Sequence, residues 1–399
     1  MDDSTTIPAN IEPVVSTLVS GLDRTGAFAL GAVAKRTYLV DGAGRCHRAP
    51  EQVPLVFEPI EDPSSPELLL ADSDLFLDKP LVDVVVSGHA WNHPGRPQFM
   101  AEVHIDERRV GQLLVSGDRR VTKSATGAIL FSPPSTLEKV SLSYAHAYGG
   151  CDARAEQEYG FELQALASQI PSSQRALALS AASPWRYPRN RAGRGYLVED
   201  HPASYERLEL PNLEDPRDLL TPERLVVGDP DHWPLQPLPA SFTWIEHGAF
   251  PRLGWFGETP PWDAEEIERY VTMFPEVRFG YATPELFRQE GSIEQRFDRR
   301  ALNGASLSLR FPKLRGNERF ILIHLHPRRP AWSFRLPGER PKLFVDDRAG
   351  GLTEVAAHVA SVSIEPDLDR VSVVWSGFTR ARRVYPDSEL AQMPFQVRW

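Results

Sequence analysis

Proline sets the limits of this chain. It occupies 36 of 399 positions, about twice the roughly 5% of an average protein. A proline donates no backbone N–H and is excluded from helix interiors and central strands. Long helical bundles and coiled coils are thereby ruled out, and short strands joined by long ordered loops remain. Disorder throughout is excluded by 9 Trp, 10 Tyr, 19 Phe and 41% hydrophobic residues, because that much apolar surface offsets the chain entropy lost on folding. The expected fold is mainly β, with β-sandwich or barrel-like units, long Pro-rich ordered loops and a few short helices.

The hydrophobic pattern divides the chain. Residues 1–34 form an N-terminal segment, and 35–150 read as a β-rich unit. Within it, 37–40 and 54–57 read as extended, and 81–86 is apolar and β-branched up to Gly88, as a buried strand requires. Phe99, Ala101, Val103 and Ile105 alternate on one face, residues 112–115 follow, and Val140, Leu142 and Tyr144 alternate again. Residues 151–262 read as a helical insertion plus Pro/Trp-rich ordered loops. Helix is favoured over 162–166 and 175–182, on either side of Pro171. The stretch 184–261 then holds 13 prolines, with Trp233, Trp244 and Trp255 inside it and Trp262 just beyond. That much aromatic surface predicts packed loop, not linker. In 263–399 a helix starts with Asp263 as N-cap and Glu266 in capping-box position, reaching Pro275. A second β-rich unit follows it, from strand patterns over 306–310, 319–325, 338–344, 359–364 and 371–375, with 364–370 as a hairpin connection.

A net charge of −10 argues against a nonspecific nucleic-acid binder, which needs cationic surface to displace counterions. Arg328, Arg329, Arg380, Arg382 and Arg383 sit among acids and read as solvated loop charge. The start, Met1-Asp2-Asp3-Ser4, lacks the basic region and apolar stretch of a signal peptide. No apolar run approaches the ~18 residues of a membrane span, so no membrane insertion is expected. Two cysteines, Cys46 and Cys151, make neither a disulfide framework nor a zinc knuckle. A reducing cytoplasm is the expected compartment.

The chemistry-bearing residues fall short of a catalytic signature. His89 and His93 flank three residues, and His324 and His326 stand two apart on an expected strand, where side chains at i and i+2 share a face. No HExxH and no Cys or carboxylate at ligand spacing accompanies them, so no metal is assigned. There is no G-x-S-x-G. Cys151 follows Gly149-Gly150 and reads as a small side chain beside a tight turn. Gly193-Arg194-Gly195 lacks the third glycine and preceding strand of a dinucleotide loop. With Arg189-Asn190-Arg191 it makes an arginine-rich loop suited to a phosphate or a neighbouring carboxylate. Asp72/Asp74 and Asp346/Asp347 are acidic pairs whose separation in space the spacing leaves open, and solvated loop acids are the reading preferred for them. No cofactor and no catalytic residue is assigned.

A series of turn-rich blocks is more distinctive. They are Ser73-Asp74, residues 79–84 with Gly88-His89-Ala90, residues 115–119, 147–150, 193–196 and 210–216, then Pro251-Arg252, Leu302-Asn303-Gly304, His326-Pro327 and Leu336-Pro337-Gly338. In order and spacing they resemble DUF2169, a bacterial domain-of-unknown-function family associated with type VI secretion. The resemblance runs from Asp74 to Trp375. It departs at Asn190, followed by Arg191-Ala192 where the family has a proline, and at Arg120-Val121, where the family has a tryptophan. The stretch 151–185 has no counterpart in it. The resemblance implies a non-enzymatic adaptor or chaperone that binds an effector, often one linked to a PAAR protein, and helps load it onto the VgrG spike. No catalytic residues come with it. Trp and Tyr dominate binding hot spots, so Trp233, Trp244, Trp255 and Trp262 are the candidate partner contacts, with Tyr148 and Arg194. Packing against the β core is the competing reading for each Trp. Two alternatives stand beside the adaptor: a hydrolase of carbohydrate or cell wall, with acids in the Trp-rich region, and a structural component of the secretion apparatus.

Overall fold

The computed structural model describes residues 13–23, 27–160, 183–246, 302–346, 348 and 351–399. The helices expected over 162–166, 175–182 and 263–275, and Trp255 and Trp262, lie outside them. The described chain is mainly β with short helices: Ala153–Tyr159, Pro202–Tyr205 and Asp387–Leu390, plus short 3-10 segments.

Two sheets enclose the main core. The larger has seven strands in the order Ser16–Leu22, Phe28–Val40, Arg370–Arg380, His358–Glu365, Val82–Val86 and Arg310–Phe311, with Cys46–Arg48 paired to the end of Phe28–Val40. Within it only His358–Glu365 and Val82–Val86 run parallel. All five residues of Val82–Val86 are buried, as expected for a strand with neighbours on both sides and layers on both faces. The second sheet is antiparallel, in the order Leu213–Glu214, Arg108–Ser116, Gln98–Ile105, Arg319–His326 and Arg329–Arg335. The alternation of Phe99, Ala101, Val103 and Ile105 is real: all four are buried while the residues between are not.

These side chains meet Tyr38, Leu113, Phe320, Leu322, Trp332, Phe334, Val362, Val371, Val373 and Trp375 in one cluster. Strands from 35–150 and from 263–399 therefore share both sheets and one core. The pairings interleave the two expected β-rich stretches in one sandwich, since alternation marks a strand and its buried face but does not name its partner. Smaller layers complete the body. A three-stranded sheet of Leu352–Val355, Lys342–Asp346 and Phe395–Arg398 packs Leu343 and Val345 against Leu18, Leu30 and Ala32. On the opposite face of Phe28–Val40, Ala29 and Val33 pack with Leu55 and Leu77.

Local departures have local causes. Residues 54–57 belong to no sheet; the Leu55 amide donates to the Val14 carbonyl and the Val56 carbonyl accepts the Asp74 amide, each at 2.8 Å. Residues 306–310 form a 3-10 turn, Leu307–Leu309, before the two-residue strand. The 364–370 connection is a hairpin as expected: Glu365 pairs with Arg370 around the turn Pro366–Leu368, with Asp369 left-handed at φ 50°. The Pro-rich loops over 183–246 are ordered around a second core of Tyr148, Tyr187, Tyr196, Leu197, Leu210, Leu220, Leu225 and Trp233.

Candidate functional site

Six of the blocks that are scattered in sequence meet in space as three joints. At the first, Lys79 donates to Asp83 across 2.6 Å, with side chains 3% and 0% exposed. Asn303 Nδ2 donates to Asp83 Oδ1 at 2.9 Å and to the Leu81 carbonyl at 2.7 Å, and the Gly304 amide donates to Asp83 Oδ2 at 2.9 Å. One carboxylate thus ties an inner strand to a turn 220 residues away. A buried carboxylate persists only when paired and hydrogen-bonded.

At the second joint, residues 115–119 meet 210–216. Asn212 Nδ2 donates to the Ser116 carbonyl at 3.1 Å and to Asp118 Oδ1 at 3.0 Å. Arg119 reaches Glu214 and the Pro211 carbonyl, each at 2.6 Å. Burial pushes the Glu214 carboxyl above its ordinary value, against the pull of Arg119 and of the Leu220 amide. Gly117 is required by close approach, since a Cβ there would lie 1.7 Å from the Ser135 carbonyl oxygen.

The third joint is a two-residue parallel ladder, Tyr148 to Arg194 and Gly149 to Gly195. The Asn190 amide group bridges the Tyr144 and Tyr148 carbonyls at 2.8 and 3.0 Å. Gly149 sits at φ 144°, and a Cβ there would lie 2.1 Å from the Asn190 carbonyl oxygen. Both its backbone angle and its neighbours demand glycine. Arg194 crosses between joints: its Nε donates to the Ala145 carbonyl at 2.9 Å, and its Nη1 reaches Asn212 Oδ1 at 3.2 Å and Glu209 at 3.0 Å. The adjacent His146 is held below its ordinary value, first by burial and then by the Arg194 charge.

The residues expected to contact a partner have these places. Tyr148 is fully buried, its hydroxyl donating to Gln236 Oε1 at 3.2 Å. Trp233 and Trp244 are buried at 7% and 6% exposure. Trp233 packs edge-on to Tyr187 with Arg189 over its ring, while Trp244 belongs to the main core with Lys79 at 5.6 Å. In this fold all three act as core. Arg194 keeps a partly exposed side chain at the joint.

The two histidine pairs also come together, at the edge where the 364–370 hairpin meets the second sheet. His89 Nδ1 lies 2.6 Å from Asp367 Oδ2, and Trp91 Nε1 donates to Asp367 Oδ1 at 2.9 Å. His326 Nε2 lies 2.8 Å from Asp369 Oδ1, which Arg328 also joins. The regular alternation expected of His324 and His326 is interrupted. The register shifts between Ile323 and His326, and His324 takes a left-handed φ of 57°. His324 instead lies beside His93, ring centroids 5.7 Å apart, while His326 is buried on its aspartate. Burial holds both His324 and His326 below their ordinary value. Among the described residues no three His, Cys, Asp or Glu side chains converge as metal ligands.

Burial and Glu156 push the Cys151 thiol up, and the thiol donates to Glu156 Oε2 at 3.1 Å. Cys46 is pushed up to about 12 by burial and then by Asp41. Asp74 is paired with Lys35 at 2.9 Å and accepts the Val56 amide. Asp72 is buried, not solvated. Asp367 and Asp369 were missed in the sequence, where they read only as turn acids. Their signal was the nearby unassigned histidines, which need carboxylate or carbonyl partners when desolvated.

Sandwich, loop core and joints define a class: a two-sheet β protein whose turn-rich blocks are joints of the scaffold. The family model for DUF2169, described as an uncharacterized protein conserved in bacteria, matches residues 25–376, and the chain belongs to that family. No curated protein and no solved structure matches it.

Proposed function

We propose that the protein is a non-enzymatic adaptor of type VI secretion, working in the bacterial cytoplasm. It binds an effector, PAAR-linked ones included, and assists its loading onto the VgrG spike. One observation supports this reading beyond the family resemblance. The polar side chains of the blocks, Asp83, Asn190, Asn212, Arg119 and Glu214, point to backbone and to one another. They build a rigid carrier, and a carrier needs a stable scaffold and an exposed surface.

The test is co-purification of the tagged full chain with the products of adjacent genes, followed by size exclusion with light scattering. A discrete complex with a toxin, PAAR or VgrG protein is expected, and a lone monomer that captures none of them overturns the proposal. The hydrolase reading has one observation behind it: the half-exposed His89–Asp367 pair beside Trp91 has the form of a base held by a carboxylate. Cell-wall turnover by the purified chain, abolished in Asp367→Asn with the fold intact, would favour it.

A further inference from the structure

Between the hairpin turning at Asp106 and Glu107 and the loop 311–318 runs a groove of about 860 Å³. Six cations line it: Arg108, Arg109, Arg310, Lys313, Arg315 and Arg335. Its acids, Asp106 and Glu318, are turned to backbone. Asp106 Oδ1 accepts the Arg319 amide at 2.9 Å, and the two Glu318 oxygens accept the Arg315 and Gly316 amides. Three of the cations are engaged: Arg109 with Glu102 at 2.9 Å, Arg310 with the Ala305 carbonyl at 2.7 Å and Arg335 with the Asn317 carbonyl at 3.0 Å. Arg108, Lys313 and Arg315 are exposed and have no ion pair among the described residues.

The walls are preformed. Asp106 and Glu107 are both left-handed, at φ 46° and 69°, and fix the tip that presents Arg108. The opposite loop is pinned by the Glu318 bonds, by buried Leu314, and by the Leu336 and Gly338 amides donating to Glu318 and Gly316 carbonyls at 3.0 and 2.7 Å. Within a mainly polar lining, Phe311 and Val110, half-buried against the main core, supply an apolar patch.

We propose that this groove docks an acidic, extended segment of a partner protein, carboxylates on Arg108, Lys313 and Arg315 and an apolar side chain on Phe311. The local excess of positive charge stands in a chain of net −10. A bilayer or a long nucleic acid would meet the whole negative molecule. A short peptide meets only what lies within about 8 Å, the screening length at physiological salt. The volume holds several side chains where an inorganic anion would fill a fraction of it. The docking role stands apart from the secretion reading, because it requires only an acidic segment.

The test is fluorescence anisotropy of a labelled twelve-residue peptide of Asp, Glu and Leu against the full chain, with an oligothymidine of equal charge as competitor. Binding is expected to weaken as salt rises from about 50 to about 200 mM, and to fall about tenfold or more in Arg108→Glu/Lys313→Glu/Arg315→Glu. Arg380→Glu/Arg382→Glu, outside the groove, is expected to leave it unchanged, with circular dichroism confirming that both variants fold. Should the triple variant misfold, Arg108→Ala alone, at the exposed hairpin tip, carries the comparison with an expected loss of about threefold. No binding, binding indifferent to the groove variants, or stronger binding of the oligonucleotide overturns the proposal.

Discussion

Replacing Asp83 by alanine asks how much of the fold hangs on one carboxylate. Its removal leaves the Lys79 ammonium, 3% exposed, without a counter-ion, which costs about 3–5 kcal/mol. The Gly304 amide loses its acceptor outright, whereas Asn303 keeps the Leu81 carbonyl. One orphaned buried N–H adds about 1–3 kcal/mol. The two effects share an environment and do not simply add, so the expected loss is about 4–6 kcal/mol. Against a typical stability of roughly 5–15 kcal/mol, that brings the variant close to unfolding. Lys79→Met is milder, about 2–4 kcal/mol, because Asn303 and Gly304 still hold the carboxylate. Lys79→Met/Asp83→Asn removes both charges while keeping an acceptor, and recovers most of what Asp83→Ala loses. Urea titration followed by tryptophan fluorescence reads all four proteins. A loss in Asp83→Ala below about 1.5 kcal/mol, or a greater loss in Lys79→Met, would refute the reasoning.

Gly149→Ala is expected to destabilise by about 3 kcal/mol or more, from a left-handed backbone and a Cβ forced onto the Asn190 carbonyl. Gly21→Ala, where nothing lies within 4 Å, is the matched control with little effect, and equal melting temperatures would count against the third joint. Stability is also expected to fall as pH drops from about 7 towards 6. His146, His324 and His326 are held below 6.5 in the folded state, so the stability they contribute is present above 6.5 and is lost as pH falls through their folded values. Each adds a slope of up to about 1.4 kcal/mol per pH unit. Glu214, raised above 4.5, works in the opposite direction at more acid pH. Thermal melts of wild type and His146→Gln across that interval check this, and a flat or inverted wild-type profile contradicts it.

What could be read from the chain was local. Val82–Val86 declares itself as a continuous apolar, β-branched run and Phe99–Ile105 by the period two of a half-buried strand, and the 364–370 turn because its residues cannot continue a strand. Partners were not legible. Nothing in 82–86 names both 310–311 and 361–364 as its neighbours, yet those pairings merge two expected units into one core. The histidine edge was half legible. The residues stood out, but a bulge at His324 broke the i, i+2 rule that would have paired it with His326. Trp233 and Trp244 illustrate the limit of reading aromatics as contacts, since the property that makes a Trp a hot spot also makes it a core residue.

Joints and surface obey different rules in this fold, and that separates recognition from resemblance. A side chain such as Asp83 or Asn190 satisfies several buried backbone or charged partners at once. A substitution there orphans all of them, so its chemistry is narrowly constrained by folding alone. Arg108, Lys313 and Arg315 are exposed and make no ion pair among the described residues, and their exchange costs the fold little, since surface changes away from such features usually stay within about 0.5 kcal/mol. Motifs built from joints therefore report the scaffold and say nothing about what it binds. Partner choice is free to reside in groove positions that belong to none of the blocks. If so, grafting a different charge pattern onto those three positions should change which acidic or basic peptide binds while the urea midpoint stays where it was.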